Sequence, residues 1–284
     1  MSSLTTNDGV ELYYETHGDG KPIVFVSAWS STLQFFEKNI PGLAEDYRVI
    51  VYDHRGHGKS ETPGHGYRIS RLAMDLKELL DHLNLTDVTA VGWSMGADVL
   101  WSYLELFGSD RISKLVCVDQ SPKEDLVPQD WDRQSCFNVE AFTKLTKDIE
   151  YAEEEVFTRM AGRYDSVTLG ESGFVEEMLN CSKTAKIELM RDILNLDWRK
   201  FLPEIEIPTL VFVGRNSRAT PPTESAYVGD NIPTAETVFF DDAAICFSGK
   251  IQRNSTRLSE SSVTEDQVPS RSPTPIVLLV RQNS

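Results

Sequence analysis

The chain has 284 residues, of which 40% are hydrophobic and 10% aromatic, enough for one large core or for a core with a lid. Its formal net charge of −16, from 28 basic and 44 acidic residues, opposes binding to a phosphate backbone, so no nucleic acid partner is expected. The sequence shows no apolar run of about 18 residues and no secretion signal at its start, so no membrane partner is expected and a cytoplasmic location is predicted. Four scattered cysteines without CxxC spacing are expected to be free thiols: Cys117, Cys136, Cys181 and Cys246.

Strand and helix patterns alternate over residues 1–120. The short apolar runs typical of buried strands are "PIVFVSAW" (22–29), "RVIVYD" (48–53), "VTAVGW" (88–93) and "ISKLVCVD" (112–119). Residues 68–85 repeat leucine at helical spacing, and a second helix is predicted near 95–107. This order predicts an α/β fold with a mostly parallel sheet flanked by helices and joined by right-handed crossovers.

The composition changes twice further along the chain. Residues 123–200 are charged and helical in pattern, which predicts a helical cap inserted between a first core part (1–122) and a second one (201–242). Strand patterns resume in the second part, at "IPTLVFVG" (207–214) and "AETVFF" (235–240). Residues 243–284 are rich in Ser, Thr, Gln and Pro without a sustained period, so they are predicted to form an atypical, disordered tail.

The strongest chemical signal is "VGWSMGA" (91–97), which fits the pattern G-x-S-x-G between a predicted strand and a predicted helix. Gly92 and Gly96 allow a sharp turn that exposes the Ser94 hydroxyl at the end of the sheet. The same turn places the Met95 N–H at a helix N-terminus, where it can bind an oxyanion. Ser94 is therefore the predicted nucleophile, and the alternative is an ordinary turn in which the serine caps the helix.

Residues 1 to about 242 resemble the α/β-hydrolase fold family, in its cofactor-free haloperoxidase-like and esterase- or lactonase-like branch. The motifs are the G-x-S-x-G turn, "YDHRGHGKS" (52–60), which is similar to the family's D-x-R-G-x-G-x-S loop, "KLVCVDQSP" (114–122) and "IPTLVFVG". The resemblance implies a small-molecule ester, lactone or related substrate and no metal, haem or other cofactor. "GHGKS" is also similar to a phosphate loop, but Asp53 stands where that pattern needs glycine, so a structural loop braced by Asp53 and Arg55 is predicted.

The resemblance also assigns the oxyanion donors and the acid. The segment "VSAWSST" (26–32) has Ser-Ala where the family has His-Gly, and Trp29 stands at the second donor position, where only a backbone N–H is needed. Trp29 can equally be a wall of the pocket. At the family's usual acid position, G-x-x-D, this chain has Ser217, which cannot carry the required charge. Asp119 in "CVDQSP" is at the second location that relatives use, either as the triad acid or as a structural carboxylate that caps a loop.

The general base is missing from the expected place. The family has a histidine after the last strand, and Ile245 stands at that position, whereas all five histidines of this chain precede residue 83. His54 or His57 is a less favoured substitute, because the base must hydrogen-bond to the Ser94 hydroxyl. A serine without its base is a weak nucleophile, and losing one triad member costs about 10⁴ to 10⁶ in rate.

The genetic code suggests one source for this ending. With permitted codons, the message for residues 244–258 can spell a string that begins His-Met-Leu-Phe when it is read two bases later. The hypothesis is a frame-shifted or alternatively spliced ending after about Asp242. The sequence thus predicts a serine hydrolase impaired by the lack of its histidine. The alternative is a non-catalytic α/β-hydrolase-like protein that binds a small ligand or a protein.

Overall fold

The computed structural model describes residues 2–123, 143, 146–147, 180–215, 217 and 220–240. The predicted tail and most of the predicted cap lie outside these residues. The eight strands are β1 (Ser2–Thr5), β2 (Glu11–His17), β3 (Lys21–Val26), β4 (Tyr47–Tyr52), β5 (Val88–Trp93), β6 (Ile112–Val118), β7 (Thr209–Gly214) and β8 (Ala235–Phe240). The α-helices among the described residues are α1 (Ile40–Leu43), α2 (Ile69–His82), α3 (Met95–Phe107), α4 (Lys183–Ile193) and α5 (Pro222–Asn231). Short 3₁₀ turns cover Leu33–Phe36 and Leu202–Glu204.

The strands form one sheet in the order β1-β2-β4-β3-β5-β6-β7-β8. β1 and β2 pair antiparallel with each other, and β2 pairs antiparallel with β4, whereas all pairs from β4 to β8 are parallel. The predicted mostly parallel α/β sheet is therefore confirmed. Because the strands from β4 onward are parallel, their carboxyl ends meet along one edge, where sites of open α/β sheets lie.

Two apolar layers cover the sheet, one on each face. Neighbouring residues of β3 point to opposite faces: Val24 packs with α2, α3 and α4, whereas Phe25 packs with the first 3₁₀ turn and α1. Strand residues on both faces are fully buried, which explains why the parallel strands appear in the sequence as continuous apolar runs.

Helix α2 confirms the leucine periodicity in the sequence. Its leucines at positions 72, 76, 79 and 80 are 0–1% exposed. The residue before the helix, Arg68, gives no side-chain cap. The Ile69 N–H instead donates to Asp192 Oδ2 of α4 at 2.8 Å, so a carboxylate from the end of the predicted cap stabilises the start of a core helix.

Two further expectations concern membranes and thiols. Within the residues that the structure describes, no helix is both long and apolar enough to cross a membrane. Cys117 and Cys181 are buried free thiols, as the cysteine spacing predicted. Cys136 and Cys246 lie outside the described residues.

Candidate functional site

Ser94 sits on a sharp turn between β5 and α3. Its backbone has φ 49° and ψ −122°, a conformation that non-glycine residues rarely adopt. A Cβ on Gly96 would lie 2.1 Å from the Val26 carbonyl oxygen, and a Cβ on Gly92 would lie 2.7 Å from the Ala97 nitrogen. Both glycines are therefore required by close backbone approach. The turn presents a partly buried Ser94 side chain at the carboxyl edge of the sheet.

Three strained backbone positions lie along this edge. Among the five non-glycine residues with positive φ that the described part of the chain contains, Ser30 (56°), Ser94 (49°) and Asp119 (52°) follow the neighbouring strands β3, β5 and β6, and the other two precede β5. Hydrogen bonds hold two of these turns in place: the Ser94 N–H donates to the Val118 carbonyl at 2.8 Å, and the Asp119 N–H donates to the Phe212 carbonyl at 3.1 Å. Strain of this kind persists where the surrounding structure fixes it, and it clusters at functional sites.

Asp119 lies in a buried polar nest. The Ser217 hydroxyl donates to Asp119 Oδ2 at 2.7 Å, and the Ser225 hydroxyl donates to Oδ1 at 3.5 Å. Burial raises the pKa of Asp119 to about 7, and the two serine hydrogen bonds oppose this shift. The two candidate acid positions, 119 and 217, are therefore in direct contact, and the Ser217 hydroxyl is the donor to the Asp119 carboxyl group.

The Ser94 hydroxyl donates to Gln120 Oε1 at 3.3 Å. Gln120 Nε2 donates to Asp98 Oδ2 at 2.7 Å, and Trp198 Nε1 donates to Asp98 Oδ1 at 2.9 Å. Sequence reasoning missed Gln120, Asp98 and Trp198. One signal was present: Asp98 is a carboxylate in the first turn of a helix whose other residues up to position 104 are mostly apolar and buried.

The two loop histidines bind backbone carbonyl groups. His54 Nε2 lies 3.1 Å from the Ser27 carbonyl oxygen, and His57 Nδ1 lies 3.0 Å from the Arg55 carbonyl oxygen. Since a carbonyl only accepts, each of these nitrogens carries the proton. Burial lowers the pKa of His54 to about 3 and that of His57 to about 4, so both rings are neutral at pH 7.

The predicted oxyanion donors lie beside this turn. Met95 is the first residue of α3, so its N–H has no acceptor within its own helix. The Trp29 side chain is buried, and its Nε1 donates to the Lys186 carbonyl at 2.8 Å, so the ring packs against α4. Positive φ falls on Ser30, and Ala28, which replaces the family's glycine, stays outside that region. That the backbone N–H groups of Trp29 and Met95 bind an oxyanion stays a prediction.

Asp53 and Arg55 brace the loop that follows β4, as the sequence predicted. Asp53 accepts from the Leu33 N–H at 2.8 Å and from the Lys59 N–H at 2.9 Å. The Arg55 guanidinium is buried and binds Asp75 at 2.7 Å and Asp8 at 2.9 Å. These contacts make the loop a structural element next to the site.

A serine on a strained strand-to-helix turn, at the carboxyl edge of a mostly parallel sheet, defines the class of α/β-hydrolase-type proteins. Comparisons with known proteins agree. The sequence pattern of the alpha/beta hydrolase fold family matches residues 21–148. A Synechocystis sp. protein assigned as a non-heme chloroperoxidase is 32% identical over 223 residues, 75% of this chain and 79% of that protein.

Two further relatives extend this likeness. A non-heme haloperoxidase of Rhodococcus erythropolis is 28% identical over 236 residues, 80% of this chain and 85% of the relative. The crystal structure of a bromoperoxidase from Bacillus anthracis superposes with a TM-score of 0.76 at 28% identity, covering 86% of this chain and 92% of that chain. The chain belongs to the alpha/beta hydrolase fold family, in its non-heme haloperoxidase-like branch.

Proposed function

We propose that this chain carries the site of a serine hydrolase for a small ester, lactone or related substrate, and that its turnover is impaired. Ser94 attacks the acyl carbon, the backbone N–H groups of Met95 and Trp29 bind the oxyanion, and Asp119 is the acid of the triad. The observation that carries the proposal is the strained backbone of Ser94, at φ 49° and ψ −122°, on the turn into α3. A cytoplasmic location and the cap over residues 123–200 belong to the same proposal.

Two solved structures that share this fold come from a lactonase and an esterase. The solved structures with the same fold include an enol-lactonase from Burkholderia xenovorans, with a TM-score of 0.71 at 23% identity. An esterase from Exiguobacterium antarcticum has a TM-score of 0.77 at 24% identity. At these identities the two structures show only that the fold is shared. The proposed substrate class therefore rests on Ser94, on Asp119 and on the branch of the family to which the chain belongs.

The impairment follows from the missing base. Ile245, which stands at the histidine position of the family, lies outside the described residues. His54 and His57, in the loop after β4, each bind a backbone carbonyl through one nitrogen, neither hydrogen-bonds to Ser94, and burial lowers their pKa values to about 3 and about 4. Without a proton acceptor on the Ser94 hydroxyl, we expect turnover about 10⁴ to 10⁶ below that of a complete triad.

A fluorophosphonate probe tests the nucleophile directly, because it phosphonylates a reactive serine without needing turnover. We expect slow labelling of the intact chain, loss of labelling in Ser94→Gly, and unchanged labelling in Ser113→Ala. Glycine accepts the positive φ at position 94, so this variant removes the hydroxyl without adding strain. Ser113 is a matched control because it lies near the start of β6, at the opposite edge of the sheet. A chain that is folded but unlabelled after prolonged exposure contradicts the proposal.

The missing base has its own test. A chain in which residues 245–258 are replaced by the 14-residue string "HMLFWKNPKKFNEA" from the neighbouring reading frame gains a histidine at position 245, the family position. We expect hydrolysis of a p-nitrophenyl ester to rise by about 10⁴ or more, and to disappear again when Ser94→Gly is added. A folded graft with no gain in rate would show that the missing histidine is not the cause of the impairment.

A second candidate function is a non-catalytic protein that retains the pocket for binding. The observation that favours it is the hydrogen bond from Ser94 to Gln120, an amide that cannot take up the serine proton at neutral pH. This function predicts that an ester or lactone binds with unchanged affinity in Ser94→Gly, as calorimetry can measure, while the fluorophosphonate leaves the intact chain unlabelled.

A further inference from the structure

A chain of three hydrogen bonds leads from the end of the predicted cap to Ser94. Trp198 Nε1 donates to one oxygen of Asp98 at 2.9 Å, and the other oxygen accepts from Gln120 Nε2 at 2.7 Å. The Ser94 hydroxyl then donates to Gln120 Oε1 at 3.3 Å. Asp98, Gln120 and Trp198 are 1–5% exposed, so these bonds are shielded from water.

The carboxylate of Asp98 determines which way the Gln120 amide faces. Both carboxyl oxygens of Asp98 accept an N–H hydrogen bond, one from Trp198 and one from Gln120, so the NH₂ group of Gln120 points to Asp98. The amide oxygen must then point to Ser94, where it can only accept. The Ser94 proton is therefore directed toward Gln120, and the lone pairs of its oxygen are left for attack.

Trp198, at the other end of this series of hydrogen bonds, is held by a backbone hydrogen bond and by a ring contact. The Trp198 N–H donates to the Pro122 carbonyl at 2.8 Å, so the two passages of the chain into and out of the predicted cap are joined at this point. The Trp198 ring packs edge-on against Trp101 of α3, with ring centroids 5.9 Å apart. Asp98 thus has a partner that is held by both the nucleophile helix and the base of the cap.

We propose that Gln120 is a positioning residue for Ser94: its amide oxygen, oriented by Asp98 and Trp198, sets the direction of the serine hydroxyl. This inference rests on the proposed role of Ser94 as nucleophile. Gln120 orients the hydroxyl without activating it, because an amide oxygen does not take up a proton at neutral pH. A glutamate in the same place would face the Asp98 carboxyl group at about the distance of the present 2.7 Å contact, so the pair would share one proton, and once the pair is fully ionised the glutamate could accept the serine proton.

The variant Gln120→Glu tests this role through the pH profile of fluorophosphonate labelling. In the reaction, Ser94 Oγ bonds to phosphorus, the P–F bond breaks, fluoride leaves, and the serine proton passes to the Glu carboxylate. We expect labelling of the variant to show a new titration step and to exceed that of the parent by about 10² on its basic side. Asn231→Asp, at the end of α5, adds the same charge far from Ser94 and should leave the profile unchanged.

A second measurement does not depend on the reactivity of Ser94. In the Gln120→Glu chain, ¹³C NMR of the new carboxyl group gives the apparent pKa of its pair with Asp98, and adding Ser94→Gly should raise that pKa by removing a hydrogen-bond donor. An unchanged pKa, or a labelling profile identical to that of the parent, overturns the positioning role while the proposed function stands. Absence of labelling in every variant, together with the expected NMR shift, instead overturns the proposed function and retains the contact.

Discussion

Replacing Asp119 with asparagine should remove a pH dependence from the stability of the protein. The Asp119 carboxyl group is 4% exposed, and its hydrogen-bond donors Ser217 and Ser225 are neutral hydroxyl groups. Burial raises the pKa of Asp119 from the ordinary value of 3.8 to about 7. The folded protein therefore holds a proton on this group at pH values where the unfolded chain has released it.

The sign and the size of the effect follow from this difference. Because the pKa of Asp119 is higher in the folded state, its contribution is fully present below about pH 4 and is lost as the pH rises through about 7. A difference of about three pH units, at about 1.36 kcal/mol for each unit, gives an upper limit of about 4 kcal/mol in the free energy of unfolding.

Urea unfolding followed by tryptophan fluorescence, between about pH 4 and pH 8, measures this contribution. The quantity of interest is the difference in free energy of unfolding between the parent and Asp119→Asn. We expect the parent to lose stability relative to the variant as the pH rises, while Asp110→Asn, at an exposed position, follows the parent at every pH. A difference that stays constant over this range, or that grows in favour of the parent, refutes the reasoning from burial.

Two further substitutions test the frame around the site. Gly96→Ala places a methyl group 2.1 Å from a backbone carbonyl oxygen of β3, so the free energy of unfolding should fall by about 3 kcal/mol or more in thermal or urea unfolding. Gly64→Ala, which has open space around it, is the control and should stay within about 1 kcal/mol of the parent. Asp75→Asn weakens the partner of the buried Arg55 guanidinium and should cost about 3 to 5 kcal/mol in urea unfolding. Asp81→Asn, in a more exposed ion pair, should cost about 1 kcal/mol or less, and equal losses in these two variants would contradict the role of burial.

The sheet could be predicted from the sequence because its signals are local. Strands buried on both faces appear as apolar runs, and β5 and β8 begin and end at the predicted residues. The boundary of β3 shows the limit: the run to residue 29 is apolar, yet the strand ends at Val26. Residues 27–29 are also buried, but they belong to the turn toward Ser30, and burial alone does not distinguish such a turn from a strand.

The strained turn at Ser94 was predictable for the same reason, whereas its surroundings were not. Gly92, Ser94 and Gly96 lie within five residues, and steric exclusion explains each glycine. Gln120 contacts Asp98 across 22 positions in the chain, and Trp198 contacts Asp98 across 100. No periodicity or motif brings such residues together, because their proximity depends on the order of the strands.

In the proposed function, the role of the acid passes from position 217 to Asp119 while the role of the base is lost. The Ser217 hydroxyl lies 2.7 Å from Asp119 Oδ2, so a carboxyl group remains at this point of the sheet edge although position 217 lacks one. In the proposed function His54 and His57 do not replace the proton acceptor, because neither ring hydrogen-bonds to Ser94 and burial lowers their pKa values to about 3 and about 4, which makes both rings weak bases. Burial raises the pKa of Asp119 to about 7, and no cation among the described residues opposes this shift. An imidazolium placed there would lower that pKa, so the titration of Asp119 before and after the histidine is restored would report directly on whether acid and base form one unit.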